Sequence, residues 1–458
     1  MTGNGYSTQS GKKAESFNAS VNSYSSDSKT KIAVLHYSHD ASSMGVSAVL
    51  GYNKTGISKI NPNVDLVLYG HELDDKLNGG HEKVRVNLTG EFHKDLSEKL
   101  NGVDYVLVEN PFRDLESYPR AYKEYKKLVE ANPDKKFVFR HHDVDLGLEN
   151  PVPSTPNVQH VTLIGATKDF LKNNYGVNAD ILSNSLDFDQ FYKPRQGKGK
   201  ELEGLLQDEG YVYPLEKING SLNRLVRRKN AEEALLHTYI LNNVYGENYR
   251  LMMSSSIREE KEKLMKTNPL PGNKVPDELE YENMILDLAK DFEIPFSLGF
   301  SHLIDGKKYT PGDFLAISDV VSFPSKKEGF GYSLPESIAA GVPHIIRTIP
   351  GTTEEFIRKG LDLSYAYGNE TFPIDHDLSK FGESVDNIRN ILSNPVKLHE
   401  VAMELNLPWR IEASRNLLGK NQPVVEREFG CEKIAMRLLD KFGIEYNKIG
   451  SEEGVVAA

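Results

Sequence analysis

The chain has 458 residues, a length suited to two domains, and its 38% hydrophobic and 26% charged residues exclude disorder throughout. A net charge of -11 argues against non-specific nucleic-acid binding, which needs a basic face. Cys431 is the single cysteine, which excludes an intrachain disulfide and a cysteine zinc cluster; a reducing, cytoplasmic location is expected. Residues 1–30, rich in Ser, Asn and Gly, read as a disordered tail with no secretion signal, and no later run is long enough to span a bilayer. From Lys31 the β-prone runs KIAVLHY, DLVLYG, DYVLVEN, KFVFRHH, VTLIGAT and ADILSN alternate with charged helical segments. Such alternation predicts βαβ units and a Rossmann-like domain over 31–195.

The polar stretch Lys193 to Gly210 reads as an exposed connector, with the linker at 196–210. Over 211–400 the runs YVYP, YRLMMS, FSLGF, VVSFPS and PHIIRT alternate with the helical AEEALLHTYILNNV and ENMILDLAKDF, which predicts a second parallel α/β domain. Residues 401–458 carry helical patterns expected to pack back across the domains. The fold class is therefore α/β: two facing Rossmann-like parallel-sheet domains, with a crevice at their strand carboxyl ends where open sheets of this kind bind ligands.

The segment SKKEGFGYSLPESIAAGVP places Glu328 before Gly329-Phe330-Gly331 and Glu336 three residues after Ser333. Ser333 to Glu336 is a capping-box pattern, which is the plain reading of Glu336; Thr352 to Glu355 repeats it, and Glu355 is read as a cap. Gly329 and Gly331 let backbone approach a ligand, and the helix entered at Ser333 aims free N–H groups at an anion. Glu328 suits hydroxyl groups instead. Phosphates and hydroxyls together describe a nucleotide sugar.

In NGSLNRLVRRKNAEEALL, Arg224 and Lys229 flank a strand-to-helix turn and can converge on one diphosphate, steadying the charge that develops on it. Arg227 and Arg228 read as a solvated loop. FRHHDVD ends a strand with His141, His142, Asp143 and Asp145. A metal site there is disfavoured, because neighbours on an extended chain point to opposite faces. The alternative for His142 is simple packing at the domain interface.

EGFGYSLPESIAAGVP resembles the E-x7-E signature of the retaining GT-B glycosyltransferases of family 4. NRLVRRKN is similar to that family's R-L-x-x-x-K-G segment, ILSNSLDFDQF to its I-P-N-G-V-D-x-x-x-F, and REFGCEKIAMRLL to its C-terminal segment, all in the family's order. The resemblance implies a GT-B fold in which Glu328 meets donor-sugar hydroxyls with amides near Phe330 and Gly331, and Glu336 binds the ribose. Arg224 and Lys229 would hold the diphosphate. His142 would lie beside the reacting sugar, followed by Asp143. The family's glycine-rich loop corresponds to DASSMGVSAVL, where Gly45 matches its second glycine and Met44 replaces the first; Asn184 orders a turn, with Ser185 in place of glycine.

The reading is a retaining, metal-independent hexosyltransferase that needs an NDP-sugar donor, a hydroxyl acceptor and no cofactor. Glu328, Arg224, Lys229 and His142 are its candidate catalytic set; Gly45, Asp143, Gly329, Phe330, Gly331 and Glu336 are its candidate substrate contacts. The acidic balance leans towards a small soluble acceptor. Membrane contact through the basic Arg120 to Lys136 segment is less favoured than a solvated helix face, and a homo-oligomer is left open. Trp409 and Cys431 are expected to pack. A phosphorylase or trehalose-synthase-like enzyme of the same fold, or a silent sugar-nucleotide-binding subunit, are the alternatives.

Overall fold

The computed structural model describes residues 29–36, 38–39, 44–70, 72–73, 82–86, 88, 91–111, 121–142, 154–192, 198–256, 258, 277–304, 308–368 and 378–446. Among them, seven parallel strands form the first sheet: β1 (Thr30–Leu35), β2 (Val64–Gly70), β3 (Glu82–Arg85), β4 (Tyr105–Glu109), β5 (Lys136–His141), β6 (Val158–Thr162) and β7 (Ala179–Ile181). Their spatial order is β3-β2-β1-β4-β5-β6-β7. The central strands are nearly continuous apolar runs because helices cover both faces of the sheet. Strand β3, sequence EKVR, is half-exposed at the edge, where charge deters further pairing; lacking an apolar run, it gives no strand signal. The order reverses between β1 and β4, which opens a crevice at their carboxyl ends.

Helices α1 (Met44–Ile60), α2 (Phe92–Lys99), α3 (Ala121–Ala131), α4 (Gly165–Tyr175) and α5 (Phe188–Tyr192) belong to this half. On α3, Tyr125 packs edge-on against Phe92 and Phe139 while Lys123, Lys126 and Lys127 face solvent. The expected connector is partly structured: residues 198–208 form α6 (Lys198–Asp208), and Leu202 and Leu206 join Ile218 and Met252 in a core. Leucines at i and i+4 buried one turn apart outweigh the polar composition.

The second sheet holds β8 (Lys217–Arg224), β9 (Tyr249–Ser255), β10 (Phe296–Leu298), β11 (Val320–Phe323) and β12 (His344–Ile346), parallel, in the order β10-β9-β8-β11-β12. The expected first strand, YVYP, is instead a turn. The strand is KINGSLNR, whose small polar residues Asn219, Gly220 and Ser221 sit buried between neighbours and so carry little hydropathy signal. Asn219 Nδ2 donates to Thr238 Oγ1 at 3.0 Å, which gives the buried amide donor a partner, while its Oδ1 has none among the described residues. Around the sheet lie α7 (Ala231–Asn243), α8 (Asp277–Asp291), α9 (Pro311–Leu315), α10 (Ser333–Ala339), α11 (Thr352–Arg358), α12 (Phe381–Ser393), α13 (Pro395–Leu405) and α14 (Leu407–Phe429). Trp409 on α14 is half-exposed, against the expectation that it packs.

The last described helix, α15 (Cys431–Phe442), returns to the first domain. Its buried residues Ile434, Ala435, Leu438, Leu439 and Phe442 repeat at helical spacing and pack with Ile57, Ile60 and Leu68. At roughly 1.5–3 kcal/mol per large buried side chain, Ile434, Leu438, Leu439 and Phe442 contribute on the order of 6–12 kcal/mol. Gly56 allows the approach of α1 to α15: a Cβ there would lie 2.1 Å from the Cys431 carbonyl oxygen. A second seam joins Leu163, Ile164 and Leu186 of the first domain to Phe323, Phe330, Leu334, Phe356 and Phe429. No described helix is long and apolar enough to cross a membrane.

Candidate active site

Strands β8 and β11 are neighbours at the point where the second sheet reverses order, so the chain segments leaving them meet. After Arg224 a single 3-10 turn, Arg227–Lys229, leads through Asn230 at φ 57 into α7. The segment leaving β11 is stitched to this turn. Lys326 N donates to Arg228 O at 2.8 Å, and Asn230 Nδ2 to Pro324 O at 3.0 Å. Lys326 Nζ reaches Glu232 Oε1 and Ser384 Oγ, both at 2.9 Å.

Glu328 is thereby set beneath two cations. Lys229 Nζ donates to its Oε1 at 2.5 Å and Arg228 Nη1 to its Oε2 at 2.7 Å. Burial raises the carboxyl's pKa, but Lys229 and Arg228 override it and hold the group at about 2. Lys229 is pushed down to about 8 by burial, against the pull of Glu328, with Arg228 and Arg224 adding like-charge repulsion. Arg224, at the end of β8, is thus close enough to act on Lys229. The solvated-loop reading of Arg227 and Arg228 does not hold. Arg228 clasps Glu328, and Arg227 bonds Glu278 through Nε at 3.1 Å and lies over the Phe381 ring.

Beyond Glu328 the chain turns at Gly331, whose φ of 81 suits glycine and whose Cβ would meet Phe323 Cζ at 3.0 Å. Gly329 is half-buried beside it. The Phe330 side chain is core, ringed by Tyr332, Phe356 and Phe429, so only its backbone is left for a ligand. The capping box expected at Ser333 does not form. The helix begins one residue earlier, with Tyr332 at its N-cap, and Ser333 Oγ donates to Asn223 Oδ1 at 3.2 Å. Glu336 is therefore free of a capping role; buried, without a hydrogen bond from its carboxyl among the described residues, it is pushed up to about 7 by burial, with Lys229 opposing. The second pattern is also displaced by one residue. Glu354 caps Gly351 N, while the buried Glu355 accepts from Gly165 N of the first domain at 3.1 Å.

In the first domain His142 follows β5, and its Nε2 lies 2.7 Å from Glu109 Oε2 at the end of β4. Arg140 Nη1 approaches Glu109 Oε1 at 3.3 Å. His141 turns the other way, its Nε2 2.9 Å from His160 Nδ1, as alternation on an extended strand requires. Among the described residues no group of three His, Cys, Asp or Glu is placed to hold a metal. Asp143 lies outside the described residues. Gly45 is the second residue of α1, in the helix rather than ahead of it.

Tyr332 links the halves. Its hydroxyl donates to Ser185 O at 3.1 Å. Burial pushes its pKa well up, with Arg140 opposing and Tyr52, Glu336 and Glu109 adding. The start of α10 and the Glu109 cluster therefore act on one side chain. Sequence reasoning missed Glu109, Arg228 and Tyr332. For Glu109 the only signal was a charged residue closing an apolar strand run.

Residues 214–362 match the family model described as glycosyl transferases group 1. The chain is 21% identical over 262 residues to mannosylglucosylglycerate synthase of Petrotoga mobilis (strain DSM 10674 / SJ95), covering 54% of this chain and 58% of that protein, so it spans less than two thirds of that relative. Among solved structures, a glycosyltransferase from Rickettsia africae ESF-5 superposes with a TM-score of 0.58 at 14% identity, over 91% of this chain and 98% of that one. Sucrose-phosphate synthase from Thermosynechococcus elongatus gives 0.55 at 13% identity, over 90% and 98%. At such identities the likeness speaks to the fold alone.

Proposed function

We propose that this chain is a retaining glycosyltransferase moving a hexose from an NDP-sugar to a hydroxyl of a small soluble acceptor, a reading supported by the match of residues 214–362 to the glycosyl transferases group 1 model and by the two parallel-sheet domains of its fold. The observation that carries the reading is Glu328 held by Lys229 and Arg228 where the two switch-point segments meet, beside the start of α10. A diphosphate seated there meets Lys229, Arg224 and the first N–H groups of α10, which stabilise the leaving group's charge. Glu328 accepts hydrogen bonds from sugar hydroxyls, the Gly331 N–H donates to a sugar oxygen, and Glu336 accepts from the ribose hydroxyls. The departing phosphate oxygen takes the acceptor proton on the face it leaves, so no side chain needs to act as nucleophile and no metal is required.

The name of the Petrotoga relative, a synthase of a glycerate glycoside, supports a small acceptor. Cys431, a buried free thiol, agrees with a cytoplasmic site. The test is a screen of UDP-, GDP- and ADP-sugars for donor hydrolysis, followed by transfer to small polyols, hydroxy acids and sugars with anomeric analysis of the product. The expected product keeps the donor's anomeric configuration. An inverted product refutes the retaining mechanism, turnover of glucose 1-phosphate in place of NDP-sugars favours the phosphorylase reading, and tight NDP-sugar binding without turnover favours a silent subunit.

A further inference from the structure

We propose that Glu109 is a positioning residue for the transfer reaction, gripping the His142 imidazole through Nε2 so that Nδ1 is offered to the cleft as a hydrogen-bond acceptor. What Nδ1 receives rests on the transferase reading; the grip itself does not.

Glu109 closes β4 with its side chain fully buried, and its two oxygens are divided between His142 Nε2 at 2.7 Å and Arg140 Nη1 at 3.3 Å. Arg140 is itself fully buried, and its Nη2 donates to Ser183 O at 2.6 Å, so the carboxylate is braced from behind. The charged and titratable groups acting on Glu109 are Arg140, His142 and His36. Burial works against ionisation, yet these neighbours hold the carboxyl at about 2. At neutral pH Glu109 is therefore an acceptor only.

The proton in the 2.7 Å contact must then belong to His142. A neutral imidazole with its proton on Nε2 carries its lone pair on Nδ1. Among the described residues His142 makes no hydrogen bond other than that to Glu109, whereas its neighbour His141 is committed to His160. Replacing a buried ion pair by packed apolar groups is often neutral or stabilising, so Glu109 with Arg140 is poorly explained by stability alone. A fixed ring tautomer supplies the missing reason. Under the transferase reading, the group donated to Nδ1 is a hydroxyl of the reacting sugar.

The experiment uses the full-length chain labelled with ¹⁵N-histidine, the His142 resonances being identified by their loss in His142→Ala. The expected wild-type spectrum at pH 8 shows the Nε2–H tautomer. Glu109→Gln can donate as well as accept, so it should mix the two tautomers and lower kcat by about 10- to 100-fold with KM for the NDP-sugar changed less than about twofold. Glu109→Asp keeps the charge beside Arg140 and should retain the tautomer with intermediate kcat. In the His142→Ala background, Glu109→Gln should lower kcat no further. A wild-type Nδ1–H tautomer overturns the proposal, even if Glu109→Gln fails to fold. So does a folded Glu109→Gln variant with wild-type kcat. A chain that turns over no nucleotide sugar would sink the transferase reading, while the spectrum would still test Glu109.

Discussion

Glu336→Gln removes a charge from a place that disfavours it. The carboxyl is buried at the start of α10 with no hydrogen bond among the described residues, and burial lifts its pKa from 4.5 to about 7. At about 1.4 kcal/mol per pH unit, the rise of 2.5 (7 − 4.5) corresponds to about 3–4 kcal/mol. Below pH 4.5 the group is protonated in folded and unfolded chains alike and has no effect. Between 4.5 and 7 the folded chain binds more protons, so stability falls as pH rises, and above 7 the full cost is present. Glutamine abolishes that cost. At about 2–4 °C per kcal/mol for a domain of this size, thermal unfolding at pH 8 should move up by roughly 7–14 °C, with a much smaller gain at pH 5. If the carboxylate receives the ribose, calorimetry should show NDP binding weakened by about 10-fold or more, the loss of hydrogen bonds to a charged acceptor. A variant stabilised equally at both pH values, or destabilised at pH 8, refutes the burial argument; unchanged NDP affinity refutes the ribose role.

Glu328→Gln leaves Lys229 without its counter-ion. Breaking a buried pair costs about 3–5 kcal/mol, and Arg228, being exposed enough to relax into solvent, points to the lower end. Because Glu328 is held at about 2, the urea midpoint should separate the variant from wild type above pH 4.5 and converge with it as pH falls towards 2; an unchanged midpoint at pH 7 refutes the pairing. Lys229 loses its proton near pH 8, so NDP affinity measured by calorimetry should fall by up to about tenfold between pH 8 and 9, and Lys229→Arg should flatten that profile. Gly331→Ala places a Cβ 3.0 Å from Phe323 at a φ of 81 and should destabilise the chain by about 1–3 kcal/mol in chemical unfolding; wild-type stability would show that the turn tolerates a side chain.

Most of the α/β architecture is legible in the sequence, because strands buried on both faces are runs of Val, Ile, Leu and Phe. Strand β8 is the exception. Squeezed between two neighbours, it needs Asn219, Gly220 and Ser221, and the nearby aromatic YVYP drew the strand signal away from it. The juxtaposition of Glu328 with Lys229 was foreshadowed by two loops that follow strands at a switch point. The ion pair itself was not, since a sequence does not state which of Arg227, Arg228 and Lys229 turns inward. Glu336 was named as a ribose contact beside a plain capping alternative, and the sequence could not choose between them, because the difference between Ser333 and Tyr332 at the helix start is one residue of backbone geometry. Glu109 was passed over for a different reason: its importance lies in a partner 33 positions away, just past the end of the next strand.

The return of α15 to the first domain ties the completion of that domain during biosynthesis to a segment made after the second sheet. The first sheet is translated early, yet the face covered by Ile434, Leu438, Leu439 and Phe442 stays bare until those residues, which follow the whole second sheet in the chain, have left the ribosome. Most chains let their leading half fold while the rest is being made. Here the first sheet waits for α15, and a stop codon between the second sheet and α15 would leave a truncated chain whose first domain keeps that apolar face uncovered.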